Sequence, residues 1–179
     1  GKMGYAIAEA ARNRGAEVIL VSGPTALTPP AGIRIVPITT AKEMAEAVSA
    51  QFNWSSIVIM AAAVADFRPK TPASQKLKKG TAALPPLELE RAPDILAMLS
   101  AKRTSQILVG FAAETQHLVQ YAADKLTAKG LDLIVANDVT QAGAGFGSEH
   151  NAAIILSRTG IQHAFDLRPK SQLAHDILS

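Results

Sequence analysis
The sequence predicts one α/β domain: an open, mostly parallel sheet with helices on both faces and a β-hairpin near its C-terminal end. Three observations predict it. Helix-patterned and strand-patterned segments alternate along the chain, the strand segments are short continuous apolar runs, and the last two flank the turn Arg158-Thr159-Gly160. Continuous β-branched runs suit parallel strands covered by helices on both faces, and a three-residue connection suits antiparallel neighbours. With 179 residues, 48% of them hydrophobic, the chain can bury one substantial core.

The first helix is expected over residues 3–13, where Met3, Ile7 and Ala10 or Ala11 share one face and Gly15 marks the stop. Residues 17–22 (EVILVS) read as a strand ended by Gly23-Pro24, residues 33–38 as a second strand, 40–52 as a helix and 56–63 (SIVIMAAA) as a buried strand. Residues 64–86 read as irregular, because Pro69, Pro72, Pro85 and Pro86 oppose both helix and sheet. A helix near 94–102, a strand at 106–112 (QILVGFA), a helix at 116–129 and a strand at 131–136 (LDLIVA) restore the alternation. The hairpin strands 152–157 and 161–166 and a helix near 170–178 complete the chain. The whole is a Rossmann-like pattern with one long segment, 67–86, between the middle strand and the next helix, and a mobile flap is expected there. The chain opens directly on helix residues, so a domain truncated at its N-terminus is expected.

Composition excludes several classes. A net charge of +3 with 4% aromatic residues gives neither the basic field nor the stacking rings of a nucleic-acid binder. No run approaches the roughly 18 apolar residues of a membrane span, and the first thirty residues lack the pattern of a signal peptide. There is no cysteine, hence no disulfide, thiolate metal site or cysteine nucleophile, and a cytoplasmic location is expected. His117, His150, His163 and His175 have no ligand spacing, and no G-x-S-x-G elbow is present.

The candidate sites gather at strand ends, where open α/β sheets bind ligands. After the third strand comes Ala61-Ala62-Ala63-Val64-Ala65-Asp66-Phe67-Arg68-Pro69, small residues that either admit a ligand to the backbone or pack beneath a helix, with Asp66 a contact or a turn cap. Arg68, Lys70, Lys76, Lys78 and Lys79 follow with no carboxylate among them, an anion-seeking stretch or a solvated loop. Gly110-Phe111-Ala112-Ala113-Glu114-Thr115 ends the next strand; Phe111 stacks on a base or fills the core, and Thr115 can cap the following helix. On that helix Lys125 and Lys129 project from one face at i, i+4. Asn137 and Asp138 end the next strand, ahead of a glycine-rich loop at 141–147 that is not a dinucleotide fingerprint.

Read in order, GKMG at 1–4, Gly23-Pro24, AAVADFRP at 62–69, KLKK at 76–79, Pro93-Asp94-Ile95, GFAAET at 110–115, ANDV at 136–139 and Asn151-Ala152 resemble the CTP-dependent phosphopantothenoylcysteine synthetases of bacteria. The resemblance implies that 4′-phosphopantothenate is activated by CTP to an acyl-cytidylate with release of pyrophosphate. Cysteine then displaces CMP to form the amide, in coenzyme A biosynthesis. It further implies Lys76 as the catalytic flap lysine, and Asp66, Lys76, Ala92, Pro93, Asp94, Ile95, Phe111, Lys125 and Lys129 as CTP-binding positions, with Ala92 standing where relatives often carry asparagine. Ala63 and Asn137 are implied for the acid substrate, and magnesium, held near Asp66, is expected with CTP. A homodimer is implied, as is fusion to a flavin-dependent decarboxylase that would carry the FMN. The family's catalytic asparagine and a substrate arginine precede the GKMG motif, so the 179-residue chain is expected to bind CTP and ligate poorly. Two other readings stay open: an NAD(P)-dependent oxidoreductase, which lacks its G-x-G-x-x-G signature here, and a nucleotide-binding domain without chemistry.

Overall fold
The computed structural model describes residues 1–77, 86–114, 117–138, 141, 143–145 and 147–179. In chain order its elements are α1 (Lys2–Asn13), β1 (Ile19–Ser22), β2 (Arg34–Pro37), α2 (Ala41–Phe52), β3 (Ile57–Met60), β4 (Phe67–Pro69) and β5 (Leu89–Arg91). Then follow α3 (Ile95–Lys102), β6 (Ile107–Glu114), α4 (Leu118–Ala128), β7 (Leu133–Asp138), β8 (His150–Ser157), β9 (Gln162–Pro169) and α5 (Lys170–Ile177).

The central sheet has the order β3-β6-β7-β8-β9. β3, β6 and β7 run parallel, and the hairpin β8-β9 extends the sheet in antiparallel fashion from β7. Helices cover both faces, and alternate side chains of the same strands feed the two cores. On one face Leu108, Ile134 and Ala136 pack with Met44, Val48 and Phe52 of α2, Leu96 and Leu99 of α3, and Leu126 of α4. On the other, Val109 and Val135 pack with Met3, Ile7 and Ala10 of α1 and Leu173, Ala174 and Ile177 of α5. A strand buried on both sides needs apolar residues at every position, which is why these strands read as unbroken runs.

Several local signals act as the sequence suggests. Thr40 caps α2 in a reciprocal box: its hydroxyl accepts from the Glu43 amide at 3.1 Å, and the Glu43 carboxylate accepts from the Thr40 amide at 3.2 Å. Gly110 is demanded by packing, because a Cβ there would lie 2.6 Å from Leu131 Cδ1 and 3.3 Å from Leu96 Cδ1.

Three features depart from expectation. β1 and β2 form a separate parallel pair, and among the described residues no backbone hydrogen bond joins β1 to β3. With one neighbouring strand instead of two, β1 stays part-exposed along its whole length although its residues are as apolar as those of β7. The segment expected to be irregular contains β4, which pairs antiparallel with β5 as Phe67↔Arg91 and Pro69↔Leu89. Neither three-residue strand carries a periodic signal of its own. β3 stops at Met60, so Ala61, Ala62 and Ala63 leave the sheet as a loop. Among the described residues no helix is long and apolar enough to cross a membrane.

Candidate functional site
The carboxyl ends of β3, β6 and β7 lie along one edge of the central sheet, in the register Met60↔Gly110 and Ala113↔Asn137. Because β8 is antiparallel to β7, its first residues return to that edge, with Asn137 opposite Ala153. Loops that follow these strands therefore gather along that edge, and several of the residues picked out along the sequence are joined there.

The β4–β5 ribbon ties two of them together. Directly beyond the Phe67↔Arg91 pair, the Ala92 amide donates to the Asp66 carbonyl at 2.8 Å. Pro93 and Asp94 come next, and Asp94 caps α3, its Oδ1 accepting from the Ala97 amide at 3.2 Å. Ile95 opens the helix and is buried in the core, which anchors the cap. From the other side, α4 brings up its two lysines. Lys129 Nζ lies 3.0 Å from Asp94 Oδ2, and Lys125 Nζ donates to the Phe111 carbonyl at 2.9 Å. Partial burial pushes the Asp94 carboxyl up, and the Lys129 hydrogen bond, the Ala97 amide and the charges of Lys129 and Lys125 outweigh it, leaving it below its ordinary value. Asp66, Ala92, Pro93, Asp94, Ile95, Phe111, Lys125 and Lys129 thus form one connected patch. Its cations stand beside a helix N-terminus at the carboxyl edge of the sheet, a setting suited to a phosphorylated ligand.

Phe111 fills the core, with its side chain against the α1 and α5 cluster, so its contribution to the patch is its carbonyl. Ala63 and Asp66 are exposed on the loop after β3. Lys76 is exposed beyond β4, and among the described residues it makes no hydrogen bond or ion pair with the patch. Lys78, Lys79, Thr115 and Val139 lie outside the described residues. The stretch of cations is less bare than its sequence window implies. Arg68 is held by Glu90, with Nε at 2.8 Å and Nη2 at 2.7 Å from Oε1, and Lys70 Nζ lies 3.4 Å from Glu88 Oε2. The neutralising carboxylates come from the returning strand, some twenty residues later in the chain.

Asn137 is buried at the end of β7, and its Oδ1 accepts from Asn151 Nδ2 at 3.0 Å. Asn151 Oδ1 in turn accepts from the Gly145 amide at 3.2 Å. Two lysines that the sequence reading passed over as functional residues hold the same loop. Lys170, buried at the start of α5, donates to the carbonyls of Gly145 at 2.8 Å and Ser148 at 2.5 Å. Lys2 donates to the Gly147 carbonyl at 2.8 Å and to Glu149 Oε1 at 2.5 Å. Burial first, then the Lys2 ammonium, pushes Lys170 below the ordinary lysine range, and Glu149 opposes them. Beside these lysines runs a groove of about 390 Å³ lined by Lys2, Tyr5, Leu27, Glu149, Lys170 and Ser171. No spacing rule marks Lys170; its role depends on a loop more than twenty residues upstream. Among the described residues no group of three or more His, Cys, Asp or Glu side chains could hold a metal ion.

A family model described as the DNA/pantothenate metabolism flavoprotein C-terminal domain matches residues 1–179. The chain is 50% identical over 179 residues to the coenzyme A biosynthesis bifunctional protein CoaBC of Bacillus subtilis, covering 99% of this chain and 44% of that protein. It is 43% identical over 180 residues to the CoaBC protein of Vibrio cholerae, covering 99% of this chain and 45% of the relative. The chain therefore spans less than half the length of these relatives. Among solved structures, the C-terminal domain of a CoaBC protein superposes with a TM-score of 0.84 at 42% identity, over 99% of this chain and 79% of the other.

Proposed function
The chain belongs to the family of DNA/pantothenate metabolism flavoprotein C-terminal domains, and we propose that it is the CTP-binding domain of a phosphopantothenate–cysteine ligase. The observation that carries this reading is the connected patch of Asp66, Ala92, Asp94, Phe111, Lys125 and Lys129 at the carboxyl edge of the sheet. Its chemistry fits an anionic nucleotide. Two ammonium groups stand beside the capped N-terminus of α3.

In this reading Lys129 exchanges its bond to Asp94 for a phosphate, and Lys125 and the backbone around Ala92 to Ile95 seat the remainder of the nucleotide. Lys76, carried on the arm beyond β4, closes over the phosphates and offsets the charge that develops as pyrophosphate leaves. Asn137 and Ala63 face the acid substrate. Of the two carboxylates in the patch, Asp94 is engaged by Lys129 and the Ala97 amide. Exposed Asp66 is the one that would hold magnesium, which, when bound, neutralises phosphate charge. The chain operates as a homodimer in the cytoplasm, within a longer protein whose decarboxylase domain carries the flavin.

Thermal shift with CTP and magnesium tests the reading on the 179-residue chain. Stabilisation by CTP, larger than that by ATP or NADPH, is expected. A larger shift with NADPH supports an oxidoreductase instead. Ligation is assayed in a chain extended at its amino end, and failure to release pyrophosphate from CTP when 4′-phosphopantothenate is added would sink the proposal.

A further inference from the structure
The glycine-rich loop between β7 and β8 is gripped through its backbone carbonyls. Lys170 Nζ takes those of Gly145 and Ser148, Lys2 Nζ takes that of Gly147, and the Ser148 hydroxyl donates to that of Gly143. The Lys170 amide adds a bond to the Glu149 carbonyl at 2.9 Å. Gly143 and Gly145 have φ of 85° and 110°, backbone that other residues adopt only under strain. Glycine permits this backbone, and the two lysines that hold its described residues in place come from helices at opposite ends of the chain.

What the loop holds in turn is specific. The Gly145 amide donates to Asn151 Oδ1, so Asn151 must present Nδ2 to its other partner, Asn137 Oδ1. A carboxamide that accepts through Oδ1 has its NH2 group as the end available to other partners. Both asparagines are buried, where a wrongly turned amide leaves a polar group without a partner. The relay thus runs from Lys170 to Gly145 to Asn151 to Asn137, and its last member stands at the carboxyl end of β7, on the α1 and α5 face of the sheet.

We propose that Lys170 is a positioning residue of this site. By holding the Gly145 and Ser148 carbonyls it sets the loop that, through Asn151, orients the Asn137 carboxamide toward the acid substrate. This inference rests on the ligase reading for the identity of that substrate and on the hydrogen-bond relay for everything else.

The test uses the amino-extended chain, with K170M, K170R and N151D compared for KM and kcat with each substrate. Backbone hydrogen exchange at Gly145 reports the loop directly. K170M is expected to raise Gly145 exchange and to raise KM for 4′-phosphopantothenate about tenfold, with KM for CTP within about twofold. K170R, which keeps donors, is expected to restore part of both. N151D keeps the acceptor for Gly145 and loses the donor to Asn137, so it should raise the same KM and leave Gly145 exchange unchanged. It also supplies the answer should K170M fail to fold. Unchanged Gly145 exchange in K170M, or KM values for acid and CTP rising together, overturns the inference. A wild-type extended chain that does not consume the acid sinks the ligase reading, whereas an active wild type whose K170M and N151D variants keep their KM sinks this inference alone.

Discussion

Lys129 Nζ lies 3.0 Å from Asp94 Oδ2, so the residue that ends α4 closes on the residue that caps α3. One carboxylate thereby serves two purposes: it satisfies the Ala97 amide and it parks a cation at the edge of the sheet. Replacing Asp94 with alanine removes both. The loss of the cap is expected to lower stability by about 1 kcal/mol, read from the midpoint of urea unfolding. Replacement with asparagine, which retains a cap acceptor, should cost less.

The same pair sets a pH response. The Asp94 carboxyl lies below its ordinary value of 3.8 in the folded chain, so the proton binds more weakly to the native state than to the unfolded one. The stability it contributes is complete above that ordinary value and is lost as pH falls through the lowered one. Unfolding followed between pH 5 and pH 2 should show a shallower acid loss in D94N than in the wild type. Half-exposure of the carboxylate and screening by salt keep the difference small.

Lys129 and Lys76 should separate in their effects. If Lys129 contacts the nucleotide as proposed, K129Q removes a charge-assisted bond and is expected to weaken CTP binding about tenfold by titration calorimetry, with less of a salt dependence remaining. K76Q should leave CTP affinity within about threefold and lower the ligation rate of the amino-extended chain by about a hundredfold or more. Equal loss of CTP affinity in both variants would argue that Lys76 is a binding group and not a catalytic one.

Gly110 offers a packing test free of any functional assumption. G110A would drive a methyl group to 2.6 Å from Leu131 Cδ1, where both Leu131 and Leu96 belong to the main core. Destabilisation of about 1–3 kcal/mol is expected, with the leucines forced from their rotamers. Full wild-type stability in G110A would mean that Leu131 can move aside without loss.

Much of the candidate patch was legible because its residues ride on elements that the sequence announces. Asn137 stands at the end of β7, Phe111 lies in the carboxyl half of β6 and Asp66 follows β3 by a short loop, on strands that continuous apolar runs announce, and Lys125 and Lys129 share a helix face by simple periodicity. What periodicity does not carry is partnership. Arg68 reads as part of an anion-seeking or solvated stretch until β5 returns Glu90 beside it, and Lys170 carries no signal of its own until the Gly145 and Ser148 carbonyls meet its ammonium group. Phe111 shows the same limit, since its position was legible and the direction of its ring was not.

The amino-acid sequence by itself determined the order of the helices and of every strand but β4 and β5, and which residues are apolar on two faces, because both follow from local periodicity and from the solvation of individual side chains. The tertiary structure alone decided that β1 and β2 pair apart from the main sheet, that β4 and β5 close a ribbon inside the proline-rich segment, and that Asp94 meets Lys129. These depend on backbone groups and charges brought together from distant segments. Their energies exist only once the chain has folded, so no short window of sequence contains them.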